Sequence, residues 1–91
     1  MLDFLRKQPV SPLPEAITSS LGQLRGVSDQ AAQGLKMVSQ AGLYSGRKVT
    51  YFRVFDPATV GAQPRRFEDL DGAGVLYSGH IEREGHVVLS R

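Results

Sequence analysis

The chain contains neither cysteine nor asparagine. Without cysteine it can carry no disulfide framework and no thiolate metal site. Without asparagine it has no acceptor for N-glycosylation. An unstapled small chain fits the reducing cytosol better than the outside of a cell, so a cytoplasmic location is expected. No apolar run approaches the roughly 20 residues of a membrane-spanning helix, and no membrane partner is expected. The opening Met1-Leu2-Asp3-Phe4-Leu5-Arg6-Lys7 lacks the apolar stretch of a secretory signal. An excess of one charge is also missing. Eleven Lys and Arg face nine Asp and Glu, giving +2. Four basic and three acidic residues lie up to Ser45, seven and six after it, so no basic tail or domain stands out. Nucleic-acid binding rests on a clustered basic face rather than on a small surplus.

What is present is an ordinary globular balance, 41% hydrophobic and 22% charged over 91 residues. That length makes one domain. A chain of this size buries only about 60–65% of its unfolded surface, enough for one core but not for a deep enclosed active site.

Residues 1–13 read as a flexible lead-in, punctuated by Pro9 and Pro12, with the domain proper over 14–91. Leu2, Phe4 and Leu5 in that lead-in need a cover, either the domain itself or a partner. Pro14 to Arg25 reads as a helix, with Pro14 and Glu15 suited to its first turn. Ile17, Leu21 and Leu24 recur at i, i+4 and i+7, and Gly26 suits the left-handed C-terminal position. Ser28 can cap a second helix, with Asp29 in its first turn. Ala31, Leu35, Val38 and Gly42 then continue at helical spacing, which predicts a helix from Ser28 to Gly42.

From Gly46 the pattern changes. Lys48 to Phe55 is dense in β-branched and aromatic residues and stops at Asp56-Pro57. Val49, Tyr51 and Phe55 fall on one side, Thr50, Phe52 and Val54 on the other. Both sides are partly apolar, so this strand is expected to be central or covered on both faces. Pro57 to Ala73 is long for a structureless connection. A helical turn over Pro64–Asp71, with Phe67 and Leu70 against the core, is one reading. A loop exposing Arg65 and Arg66 is the other.

Val75 to Arg91 reads as a β-hairpin. A two-residue loop at Glu84-Gly85 mixes apolar and polar side chains on each face. A three-residue loop puts Gly85 in the left-handed position of a type I turn plus bulge. It pairs Glu82 with His86, Ile81 with Val87 and Gly79 with Leu89. Val75, Tyr77, Ile81, Val87 and Leu89 then share one face, and Ser78, His80, Glu82, His86 and Ser90 the other. Because a slip of one residue exchanges the faces, the amphipathic solution is preferred. The expected fold is α+β: an N-terminal helical pair packed on a small, mainly antiparallel three-stranded sheet that ends in this hairpin.

Three surfaces carry chemistry worth weighing. His80, Glu82 and His86 converge on one hairpin face, where two imidazoles and a carboxylate suit zinc or acid–base work. A solvated polar face explains the trio more simply, since no fourth ligand or orienting partner is evident. Arg47, Lys48, Tyr51, Phe52 and Arg53 mix cations with aromatics, as single-stranded nucleic-acid sites do. So small a core, however, has few aromatics to spare. Asp69-Leu70-Asp71-Gly72 lacks the ligand spacing of a calcium loop, and Gly72-Ala73-Gly74 precedes a strand rather than opening a helix, unlike a phosphate cradle. No nucleophile, base and orienter can be assembled, so no enzyme activity and no cofactor are expected. The expectation is a non-enzymatic interaction module. It would meet a protein partner or a second copy through a free sheet edge, through Leu2, Phe4 and Leu5, or through Arg65 and Arg66. Single-stranded nucleic-acid binding is the alternative, and a metal or acid–base site at the hairpin the second alternative.

Overall fold

Pro14 takes an extended conformation and opens helix α1, Glu15–Arg25, which Gly26 closes at φ +70°. The Ser28 side chain accepts a hydrogen bond from the Ala31 amide and caps a second, one-turn helix, α2, Asp29–Gln33. The computed structural model describes residues 10–60, 63–70 and 72–91. Around the helices run five strands: β1 (Val10–Pro12), β2 (Lys36–Tyr44), β3 (Arg47–Phe55), β4 (Tyr77–Ile81) and β5 (Val87–Leu89). They form one antiparallel sheet in chain order, β1-β2-β3-β4-β5.

This sheet corrects the expectation of three strands; the α+β class stands. The two extra strands come from segments read otherwise. Val10–Pro12, within the expected lead-in, pairs with Lys36–Val38. Lys36–Tyr44, expected as the rest of a helix, is a strand paired with β3 over its whole length. The helix stops at Gln33 because Gly34 follows, and the apolar residues beyond it serve two different faces. Met37 joins the core under the helices, while Val38 joins the core on the opposite side. Adjacent residues facing opposite ways is strand geometry. Ser45 and Gly46, at φ +52° and +80°, make the two-residue turn into β3. Two positive φ values in succession mark the turn type that matches strand twist.

On one face, the helix face, α1 seals a core of Ile17, Leu21, Met37, Phe52 and Val54, with Tyr77, Ile81, Val87 and Leu89 packed against it. Fully buried side chains of this size contribute about 1.5–3 kcal/mol each. Leu24, expected on the same stripe, is 58% exposed. It lies one turn beyond the sheet contact made by Leu21. The other face is crossed by the chain between β3 and β4. There Phe67, Leu70 and Val75 pack with Val10, Val38, Phe55 and Val60. Val75 therefore belongs to this second core, not to the hairpin face on which the sequence pattern placed it. Val75 precedes β4, which begins at Tyr77, so the alternation does not extend back to it. β3 is central and covered on both sides, as its composition implied.

The connection holds a 3-10 turn at Phe67–Asp69 and another at Gly72–Gly74. Arg53 on β3 anchors it. Its guanidinium donates to the carbonyls of Phe67 (3.1 Å) and Leu70 (2.8 Å) and lies 3.9 Å from the centre of the Phe67 ring.

The C-terminal hairpin has the register argued above: Gly79 opposite Leu89 and Ile81 opposite Val87. The Glu82 amide donates to His86, the Gly85 amide donates to Glu82, and Gly85 sits at φ +90°.

Candidate interaction surface

The direction of every main-chain group in the sheet follows from two hydrogen bonds. Glu82 donates to His86, and Ser90 to Ser78. On β4, Ser78, His80 and Glu82 therefore face β5, and Tyr77, Gly79 and Ile81 face β3. Carrying the alternation across the paired residues makes Gln40, Gly42 and Tyr44 of β2 face β3. Met37, Ser39, Ala41 and Leu43 face outward. Ser11 of β1 meets Met37. Pro12 pairs with Lys36, so its ring nitrogen faces away from the ladder, where a missing N–H costs nothing.

Among the described residues, β1 covers Lys36–Val38. Along Ser39–Tyr44, among the described residues, no strand lies outside β2. The tip of that stretch is apolar on both faces: Leu43 is 64% exposed and Tyr44 50%. One acceptor is already occupied. The Tyr51 ring lies across Gly42, and its hydroxyl donates to the Leu43 carbonyl. A side chain reaching over the strand to this oxygen fits its outward direction.

Next to this edge lies a buried imidazole. His80 is 3% exposed, which corrects its expected place on a solvated face. Tyr44 covers it with ring centres 4.4 Å apart, and Tyr51 meets it edge-on at 5.9 Å. Among the described residues its Nε2 has no hydrogen-bond partner; the Glu82 carboxylate is 3.5 Å away. His86 stands exposed at the turn. The hairpin thus brings two of the three candidates together. Among the described residues no group of three or more metal-ligating side chains is assembled.

The other candidate residues are dispersed. Phe52 is fully buried under α1, and Arg53 is spent on the Phe67–Leu70 segment. Tyr51 and Arg47 lie on the opposite face from Phe52 and Lys48. Arg47 and Lys48 are exposed at the start of β3. Arg65 and Arg66 are exposed in a turn organised by Asp69, whose carboxylate accepts from both their amides at 3.1 and 3.0 Å. The Arg65 amide bond, with that of Arg66 and the Arg66 charge 3.5 Å away, holds the Asp69 carboxyl below its ordinary range. Leu2, Phe4 and Leu5 lie outside the described residues. The open stretch of β2 was missed with β2 itself. The signal for it was Ser45-Gly46, a two-residue hairpin loop with serine in place of the usual Asn or Asp before the glycine.

No helix among the described residues is long and apolar enough to cross a membrane. Comparison of the chain with protein-family models, curated proteins and solved structures returned no match.

Proposed function

We propose that this chain is a small, non-enzymatic interaction module that takes up an extended segment of a partner protein along the outer edge of β2, from Ser39 to Leu43. The observation that carries this reading is the mismatch of ladders. β2 pairs with β3 over nine residues and with β1 over three. An added strand satisfies outward amides at Ser39, Ala41 and Leu43 and buries the Leu43 and Tyr44 side chains on its two faces. Main-chain bonds supply affinity in this mode, and the alternating side chains supply selectivity. The absence of cysteine suits an intracellular setting. A non-enzymatic role is supported by the surroundings of His80, where Glu82 is the one carboxylate within 4 Å among the described residues and 3% of the residue is exposed.

The test is selection of random extended peptides displayed against the full chain, followed by amide mapping of the enriched sequences. Enrichment of peptides with alternating apolar residues that shift Ser39, Ala41 and Leu43 supports the reading. Peptides that map elsewhere, or no enrichment, refute it.

A further inference from the structure

The open stretch of β2 runs into a hairpin tip that carries charge of one sign. From Ser39 to Thr50 the chain holds no carboxylate, and its charged residues there are Arg47 and Lys48. Both are exposed at the start of β3. Among the described residues neither takes part in an ion pair. The register sets them directly behind the exposed apolar pair: Tyr44 is opposite Arg47, and Leu43 is opposite Lys48. Opposed residues of a ladder share a face, so each face of the tip carries one large apolar side chain and one cation. The turn between them is Ser45-Gly46, so a chain passing over it meets the two cations with no bulky side chain in the way. Glu82, on the far side of β3, is turned to His80 at 3.5 Å. The rest of the edge, Ser39 to Gly42, is uncharged. The charge therefore lies at one end of the edge.

Resting on the proposed uptake of a strand at this edge, we infer that the segment β2 takes up is acidic at one end. Its apolar residues alternate along Ser39–Leu43, and its Asp or Glu residues lie beyond them, over the Ser45-Gly46 turn. β2 pairs antiparallel with both of its neighbours. A segment added in the same sense runs from the turn toward β1, so its acids precede its apolar residues. The reverse direction carries those acids to the uncharged end and loses the attraction. A polypeptide fits this edge better than the other polyanions a basic tip attracts. The outward groups of Ser39 and Ala41 are paired N–H donors and C=O acceptors, which a second peptide backbone matches in a ladder. A phosphate backbone offers acceptors only and leaves the outward carbonyls without donors. The ion pairs formed are surface pairs, weak singly and screened by salt. They act on the choice and direction of the partner more than on affinity.

The test presents two baits to one library of displayed random peptides at low salt: the full chain, and the full chain with Arg47→Glu and Lys48→Glu, both at exposed positions. The unaltered chain is expected to enrich Asp and Glu in the positions that precede the alternating apolar residues. The variant is expected to enrich Lys and Arg in those same positions. A synthetic copy of the best acidic peptide should bind the variant about tenfold more weakly at about 20 mM salt, and the contrast should shrink to about twofold at about 0.5 M. Peptides that shift the Ser39, Ala41 and Leu43 amides without a charge bias, or with the same bias on both baits, overturn the inference and leave strand uptake itself standing. Peptides absent from that edge overturn both. An oligothymidylate that binds more tightly than the best peptide also overturns the inference.

Discussion

Tyr51 lies across the backbone of Gly42 and donates its hydroxyl to the carbonyl of the next residue, Leu43. Three strands are tied by this one side chain, because its ring edge also meets His80 on β4. It braces the β2–β3 hairpin near its turn, beyond the pairs that β1 makes among the described residues.

Gly42 is required by that arrangement. A Cβ there would stand 2.7 Å from the Tyr51 ring. Gly42→Ala should displace the ring and destabilise the fold by about 1–3 kcal/mol, the usual scale of overpacking. Tyr51→Phe keeps the ring and loses the bond, so about 0.5–1.5 kcal/mol is expected. Urea unfolding of both variants checks the order; a larger loss for Tyr51→Phe would contradict it.

Arg53 fastens the β3–β4 connection through two carbonyls and an aromatic face. Arg53→Met should cost about 2–4 kcal/mol, since hydrogen bonds from a charged donor contribute about 1.5–3 kcal/mol each and the cation–aromatic contact adds to them. Lysine should recover only part, because it lacks the planar fork. Proteolysis within residues 63–70 should accelerate in step with the loss. Unchanged stability would mean that the apolar contacts of Phe67 and Leu70 hold the segment unaided.

His80 is a packed ring whose Nε2 makes no hydrogen bond among the described residues, with the Glu82 carboxylate 3.5 Å away. Replacing such a group by an apolar ring removes an unsatisfied atom, so His80→Phe should be neutral or stabilising by about 1 kcal/mol. His80→Ala should cost about 2–4 kcal/mol through the cavity it leaves. Thermal melts of the pair separate the cases. Strong destabilisation by phenylalanine would show that the imidazole makes a polar contact essential to the fold.

The Asp69 carboxylate is held below its ordinary pKa of 3.8 by the amides of Arg65 and Arg66. A depressed folded value means that the unfolded chain takes up the proton first as pH falls. The stabilisation is fully present above about pH 4 and is lost as pH drops through the lowered value. Titration followed by the Asp69 side-chain carbon resonance should give a midpoint below 3.8. Asp69→Asn should remove that part of the acid sensitivity. A midpoint at or above the ordinary value would mean that the turn is open in solution.

The parts of this architecture visible in the sequence were those set by local chemistry. Gly85 needs a positive φ, and that requirement with the alternation of Ile81, Val87 and Leu89 was enough to give the last hairpin its register. Ser28 and Gly26 marked helix ends because caps are local. β2 carries no period-two signature because Met37 and Val38, adjacent in sequence, are buried on opposite faces and most of the residues after them are exposed. Leu35, Val38 and Gly42 then happen to fall at helical spacing, although Met37 and Val38 serve opposite cores. His80 looked like a solvent-facing residue because alternation says which face a residue occupies, not what covers that face. Its cover, Tyr44, comes from a strand two positions away in the sheet. The Arg53 anchor joins residues whose proximity depends on how the intervening chain folds back. The open stretch of β2 is a property of sheet order, which no local pattern contains.

Hydrogen exchange along β2 in the full chain at low concentration tests the central claim most directly. An open outer edge predicts a two-residue rhythm: the amides of Ala41 and Leu43 should exchange roughly 100-fold faster or more than those of Gln40 and Gly42, which bond to β3. Equal protection of all four would mean that the edge is already occupied, and the proposed binding surface would not exist.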